Sequence, residues 1–399
     1  MKILYLLSRF PYPLEKGDKL RAYQHLQNLN ASGHEVHLVA ISDKVVDEKA
    51  YQKIKPLCKS ITVLPLSLPS FLTNVAFSFF RKLPLQAGYF YSRKNQDIID
   101  NVISTVAPDL IYCQLVRTAG YIKNHSEIPL VIDFQDAFSK GTEQRMGTAP
   151  WWIKPLFTRE LRLIKKLEAQ SYEWFNGHLI ISPQDKSALA VSAGKNVDIV
   201  PNGVDTSFFF PVKAEKNADI TFVGNMNYPP NVDGASFLVE EIMPFVWKQF
   251  PAATVQIAGA NPNKKVRALA SRLVTVTGWV EDIRQCYSTS KIFVAPMRMG
   301  TGLQNKLLEA MAMGTPCVTT SLSFEPLGAE AGSDILVGNN ASELADQIVR
   351  LLKDEVLRKN IGENGLKFVQ TNYSMEHSRI LLEKVLSEAI RNFDKSKQI

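Results

Sequence analysis

Apolar residues in this chain recur with two different periods, and the two alternate from one end to the other. Continuous runs such as Ile3-Leu4-Tyr5-Leu6-Leu7 and Ile292-Phe293-Val294-Ala295 read as strands buried on both faces. They predict strands over Lys2–Ser8, Glu35–Ile41, Ser60–Leu66, Asp109–Gln114, Leu130–Asp136 and His178–Pro183. A second series follows over Asp219–Gly224, Thr254–Gly259, Val274–Gly278, Ile292–Pro296, Cys317–Thr320 and Asp334–Val337. Between them, apolar positions at helical spacing predict helices over Lys19–Ser32, Ser70–Lys82, Pro155–Phe175 and Gln184–Ala193. Four more are predicted over Val232–Gln249, Lys264–Ser271, Leu303–Met313 and Ser342–Leu352. Alternating strand and helix is the signature of α/β folds, parallel sheets covered by helices.

The series restarts near Ala193–Val200, which splits the chain into two Rossmann-like, doubly wound domains in tandem: residues 1–195 and 196–375. Residues 376–399 form a last helix with Ile380, Leu381, Val385, Leu386, Ala389, Ile390 and Phe393 on one stripe. Ligands of open parallel sheets sit outside the carboxyl ends of the strands. Two such ends facing across a cleft would give one pocket for a donor and an opposing surface for an acceptor.

A length of 399 residues suits two domains, and no apolar run reaches the span of a membrane helix. The apolar start of the chain is too short for a signal peptide and fits a first strand, so the expected location is cytoplasmic. Cys58, Cys113, Cys286 and Cys317 are too far apart for metal-type pairing, the histidines show no ligand spacing, and no metal or cofactor is expected. A net charge of +7 favours anionic partners: nucleotide phosphates, nucleic acid or an anionic membrane surface. Nucleic acid is disfavoured because none of its familiar binding modules is present.

The densest chemical signal is the run from Gly300 to Pro316: strand, glycine turn, apolar helix, glycine stop, strand. Its turn brings unpaired N–H groups of Gly302, Leu303, Gln304 and Asn305 and the positive end of a helix dipole to one point, with Lys306 in the first turn. A cation opposing that dipole is explained by a bound phosphate; an exposed helix lysine is the plainer reading. Glu309 repels phosphate but accepts hydrogen bonds from sugar hydroxyls. Together these describe a nucleotide-sugar site.

Leu308-Glu309-Ala310-Met311-Ala312, with Gly314 and Pro316, resembles the family-4 retaining glycosyltransferases, whose fold is the two-domain GT-B type. The resemblance implies that Glu309 holds the ribose and that the last helix crosses back to the first domain; packing within the second domain is the alternative. It implies transfer with retention at the anomeric carbon, without a metal, the leaving phosphate taking the acceptor's proton. Three departures stand out. Thr301 replaces a usual glutamate, Asn225 after Gly224 lacks the usual arginine and the lysine that follows it, and Gln135 replaces a usual histidine. The missing cations shift the diphosphate to Lys306 and Arg298, the latter also readable as a solvated loop residue.

Similarity to the family also implies that Gly17, Asp18 and Arg21, after the first strand, lie on the donor phosphates and acceptor side; a turn with Asp18 as N-cap is the structural alternative. Gln135 and Asp136 end a buried strand, where Asp136 steers the acceptor hydroxyl or caps the next loop. The resemblance also places Asn202, in a Pro-Asn-Gly turn, near the ligand and implies that the Trp279-Val280 backbone reads the base, with a surface-packed tryptophan as the alternative. Aromatic and basic residues interleave over 71–94, and Trp151-Trp152 precede Lys154, Arg159, Arg162, Lys165 and Lys166. Both stretches suit a membrane interface, with core aromatics beside a solvated basic face as the default.

The expected activity is transfer of a sugar from a nucleotide-sugar donor to a glycan or glycolipid acceptor, at the inner face of the cell membrane, with Lys306, Glu309 and Asp136 catalytic. The alternatives are a GT-B nucleotide-sugar epimerase and a non-catalytic nucleotide-sugar-binding protein.

Overall fold

Two all-parallel sheets carry the chain, each built outward from its first strand. The structure is a computed structural model that describes residues 1–43, 45–66, 78, 83–191, 195–299 and 303–397. It divides into two units, residues 1–202 with 378–399, and residues 203–377.

In the first unit the strands are β1 (Lys2–Leu7), β2 (Glu35–Ser42), β3 (Ser60–Pro65), β4 (Leu110–Gln114), β5 (Leu130–Gln135), β6 (Gly177–Ile180) and β7 (Asp198–Ile199). They lie in the order β3-β2-β1-β4-β5-β6-β7. In the second unit β8 (Ala218–Val223), β9 (Val255–Ala258), β10 (Val274–Gly278), β11 (Ser290–Ala295), β12 (Cys317–Thr319) and β13 (Leu336–Val337) run β10-β9-β8-β11-β12-β13. Strand order reverses between β1 and β4 and between β8 and β11, so each sheet has a ligand crevice at the carboxyl ends of that pair. Every predicted strand is present; β7, too short to show a period, was not predicted.

Helices cover both sheets. Gly17–Ala31 packs Ala22, Leu26 and Leu29 with Leu382, Val385, Leu386 and Ala389 of the last helix, so Ser378 onward belongs to the first unit's core. That helix, Met375–Lys397, approaches β6 so closely that a Cβ on Gly177 would lie 2.8 Å from the Ala389 Cβ. The predicted helix 232–249 is three segments: Pro229–Ser236, a π turn over Phe237–Ile242, and Met243–Gln249. Pro244 explains the break, since its ring excludes a normal i→i−4 bond and the wider turn makes room for it. The helices Arg93–Val106 and Glu355–Asn372 were not predicted; the predicted helix 70–82 falls almost wholly outside the described residues. Cys113, Cys286 and Cys317 are buried free thiols. No described helix is long and apolar enough to cross a membrane.

Candidate functional site

At the carboxyl ends of β8 and β11, the second unit gathers a cation, a carboxylate and two glycines. The helix Asn305–Ala312 begins two residues later than predicted, with Gln304 as its N-cap and Leu303 packed against the core. Gly300, Thr301 and Gly302, which carried part of the predicted phosphate turn, lie outside the described residues. The helix ends in a Schellman motif: Gly314, at φ +66, donates to the Met311 carbonyl (2.9 Å) and Thr315 to that of Ala310 (3.0 Å). This stop holds the helix between β11 and β12 and fixes which way Lys306 and Glu309 point.

Lys306 donates from Nζ to Asn231 Oδ1 (2.5 Å) and lies 4.8 Å over the Phe222 ring. Burial pulls its ammonium down to about 8, against the opposing pull of Glu309. One turn on, Glu309 Oε2 accepts from the buried Tyr287 hydroxyl (2.8 Å), while Oε1 has no protein partner among the described residues. Burial pushes this carboxyl up to about 7, with the Tyr287 bond and Lys306 opposing. The glycines let the loops converge: a Cβ on Gly259 would fall 1.9 Å from the Gly224 carbonyl, and one on Gly224 2.6 Å from Asn231 Nδ2. Asn231 thereby spans the site, donating to the Asn225 carbonyl (3.0 Å) while accepting from Lys306. Asn225 itself is exposed, and its Oδ1 is taken by the Asn227 N–H (3.1 Å). At the end of β10, Trp279 is 70% exposed beside the half-buried Val280.

Arg298 departs from its predicted role. Its guanidinium forks onto Asp233 (2.8 and 3.1 Å), reaches Glu241 (2.8 Å) and stacks 4.1 Å over Phe237. Two carboxylates already outweigh its charge, so it fastens the π turn and leaves Lys306 as the cation at this crevice.

The first unit corrects three further readings. Arg21 is fully buried and forks onto Asp133 (2.6 and 2.9 Å), while Nη1 donates to the Val200 carbonyl (2.8 Å) and Asn202 Oδ1 (3.0 Å). Arg21 and Asn202 are therefore a structural clamp on the chain leaving β7, not ligand contacts. His25, whose Nδ1 lies 2.5 Å from the Tyr112 hydroxyl, belongs to the same buried group. Asp18 is not an N-cap, since the helix starts at Gly17 after Lys16. It pairs instead with Arg9 (2.5 Å) and Arg117 (2.9 Å). Burial raises Asp18's carboxyl and the two guanidiniums more than reverse that, leaving it below its ordinary value. Gly17 is exposed, with open space around it.

Gln135 adopts φ +62 at a bulge in β5, and its Oε1 accepts from Gln114 Nε2 (3.2 Å). A non-glycine residue held there is strained, and such strain collects at functional sites. Asp136 follows with an exposed side chain that caps nothing; the N-cap of the next helix, Ala137, receives no side-chain bond. Surrounding protein and the carboxylates of Asp185, Asp133 and Asp18 push Asp136 up to about 7, with Arg117 opposing. Solvent at its outer face trims that rise. The aromatic stretch resolves by position: Phe90 is buried and Tyr89 and Tyr91 pack on the core, whereas Phe77, Phe79, Phe80, Arg81 and Lys82 lie outside the described residues. Trp151 and Trp152 are 79% and 65% exposed.

Comparison with known proteins bears on the family and the fold. Residues 20–208 match the family model "Glycosyltransferase Family 4", and residues 217–354 match "Glycosyl transferases group 1". The chain is a GT-B glycosyltransferase related to these two families. A similar curated protein, "Uncharacterized 44.6 kDa protein in cps region" of Klebsiella pneumoniae, is 26% identical across 93% of this chain and 96% of its own length. Among solved structures, a glycosyltransferase from Rickettsia africae superposes with a TM-score of 0.69 at 15% identity, covering 98% of this chain and 99% of that one. Anabaena HepE in complex with UDP superposes at 0.66 and 16% identity, covering 97% and 100%.

Sequence reading of this glycosyltransferase overlooked Asn231, Tyr287, Arg9 and Arg117. Asn231 stood in the asparagine-rich loop after β8, and that loop was the available signal. Tyr287 has none, since only the fold brings the helix Arg284–Ser288 beside Glu309.

Proposed function

We propose that this glycosyltransferase takes a sugar from a nucleoside diphosphate and passes it, with retention and without a metal, to a hydroxyl of a glycan or glycolipid. The observation that carries the donor half is Glu309: one carboxylate oxygen is anchored by Tyr287 while the other remains open, one helical turn from the Lys306 ammonium. A carboxylate held in this way accepts hydrogen bonds from vicinal ribose hydroxyls. The ammonium, with the N–H groups of Leu303, Gln304 and Asn305, meets the diphosphate. Charge gathers on that diphosphate as the glycosidic bond breaks, so fixed donors there lower the barrier; loss of one such donor costs about 10²–10³ in kcat elsewhere. Trp279 and the Val280 backbone would receive the base, and Gly224 lets the phosphates approach the backbone.

Asp136 is the proposed acceptor-side group, because it is exposed, makes no capping bond and follows the strained Gln135. HepE's complex with UDP supports a uridine nucleotide as the first donor to try, and the capsule-region relative supports a surface glycan as product. Trp151, Trp152 and the basic helix Lys154–Trp174 support attachment to an anionic membrane surface.

Titrating UDP, GDP and dTDP into wild-type protein and Glu309→Ala tests the site. Binding of one diphosphate, weakened about tenfold or more in the variant, is expected; equal binding by both overturns the assignment. Nucleotide-sugar turnover then separates transfer from the binding-only reading, and the anomeric configuration of the product tests retention.

A further inference from the structure

We propose that Arg284 is a positioning residue for the donor's nucleoside, pinning the base-reading loop 279–282 against Phe208 and holding it in register with Glu309. The proposal rests on the donor reading above and deepens it, because it concerns how that site reads a base as well as a diphosphate.

The loop follows β10, with Trp279 and Glu281 exposed and Val280 packed partly on the core. Its far end is held by one pair of side chains. The Asp282 carboxylate accepts from the Arg284 backbone N–H (3.0 Å), from Nε (2.9 and 3.0 Å) and from Nη2 (2.7 Å). The same guanidinium also reaches a separate segment of the second unit. Its Nη1 donates to the Phe208 carbonyl (3.2 Å), and its carbon lies 4.1 Å over the Phe208 ring. Phe208 is itself fixed, since Asp205 Oδ1 accepts from the N–H groups of Ser207 (3.0 Å) and Phe208 (3.1 Å). The next residue, Phe209, meets Tyr287 edge to face with ring centres 6.5 Å apart, and Tyr287 donates to Glu309 (2.8 Å). Arg284 and Tyr287 share one short helix, Arg284–Ser288. The segment 205–209 therefore braces both the loop offered to the base and the tyrosine that anchors the ribose carboxylate.

Stability does not account for this arrangement. The Arg284 and Asp282 side chains are 28% and 27% exposed, and an ion pair so placed contributes little to folding. What a forked pair supplies is direction, because the planar guanidinium matches both carboxylate oxygens at once. A loop ordered before binding spares the ligand the cost of ordering it. Asp282 already balances the guanidinium's charge, so Arg284 serves the loop and not the diphosphate.

The test compares ligands with and without a base. Calorimetric titration of wild-type protein with UDP, GDP and dTDP finds the preferred diphosphate, and inorganic pyrophosphate in competition supplies the phosphates alone. Arg284→Met keeps an apolar stem over Phe208 and removes the fork. Asp282→Asn keeps an oxygen for the Arg284 N–H and removes the charge pairing, a second route should the first variant fold poorly. Each should weaken the preferred diphosphate about three- to tenfold, leave pyrophosphate within about twofold and shrink the preference among the bases. Arg284→Lys retains the charge without the fork and should show the same loss. Wild-type affinity and base preference in the Arg284→Met and Asp282→Asn variants overturn the proposal. So does an equal loss of pyrophosphate, which would make Arg284 a phosphate ligand or a general support of the fold. If wild-type protein binds none of the three diphosphates, the donor site itself falls, and this proposal with it.

Discussion

Lys306→Met should make the ligand-free protein more stable while crippling its grip on a diphosphate. The lysine's ammonium is drawn from 10.5 down to about 8 by burial. At about 1.4 kcal/mol per unit, keeping it charged at neutral pH costs the fold roughly 3 kcal/mol. For a lysine lowered in the folded state, that cost is fully present below pH 8 and is relieved as pH climbs from about 8 to 10.5. Methionine keeps the apolar stem over Phe222 and removes the charge. It also leaves Asn231 Oδ1 without its donor, a loss of about 1–2 kcal/mol for a buried acceptor. The balance is a gain of about 1–2 kcal/mol at pH 7 that reaches zero between about pH 9 and 10 and turns into a loss above that. Denaturant unfolding across that range reads it directly. Calorimetric titration with UDP reads the other side: a hydrogen bond from a charged donor is worth about 1.5–3 kcal/mol, so affinity should fall roughly ten- to hundredfold. A variant that is less stable at pH 7 and binds UDP as before would show Lys306 to be structural, and the diphosphate site would have to lie elsewhere.

Tyr287→Phe should raise the donor KM several-fold with a smaller fall in kcat, because it frees Glu309 to turn without removing it; unchanged kinetics would refute the anchoring role. Arg21→Met should cost about 3–5 kcal/mol of stability, since it strands the fully buried Asp133, yet leave UDP affinity unaltered in whatever protein folds; a selective loss of binding would restore Arg21 to the site. Asp136→Asn should lower turnover at least about tenfold with donor affinity intact, measured by nucleoside diphosphate release with and without acceptor. Chelation by EDTA should leave turnover unchanged, and a loss restored by Mg²⁺ or Mn²⁺ would refute the metal-free mechanism.

What could be read from the chain alone was set by how local its cause is. A strand buried on both faces must be apolar along its whole length, which is why β1, β4, β8 and β11 announced themselves and two wound sheets followed. The helix Glu355–Asn372 was harder to see, because Gly362 and Gly365 interrupt its core-facing stripe of Leu357, Ile361, Phe368 and Val369. Within the site, Lys306 and Glu309 were legible because a single helix and its glycine stop place them. Arg21 and Arg298 were misread for the opposite reason. A guanidinium near a strand end reads the same whether its partner is a phosphate or a carboxylate, and Asp133, Asp233 and Glu241 become neighbours only through the fold.

Those two arginines also bear on the cations that the family resemblance leads one to expect after Gly224, where Asn225 stands. Every buried or stacked guanidinium near either crevice is committed to a carboxylate: Arg21 to Asp133, Arg298 to Asp233, Arg117 to Asp18. An arginine so paired presents little net charge to a ligand, so its number says little about anion binding. Lys306 stands apart: among the described residues its hydrogen-bonding oxygen partner is the neutral amide of Asn231. If anion recognition depends on unmatched donors rather than on basic residues, the diphosphate belongs with Lys306. Lys306→Met should then lose UDP binding, whereas Arg298→Met should keep it and lose stability instead, because it strands Asp233 and Glu241.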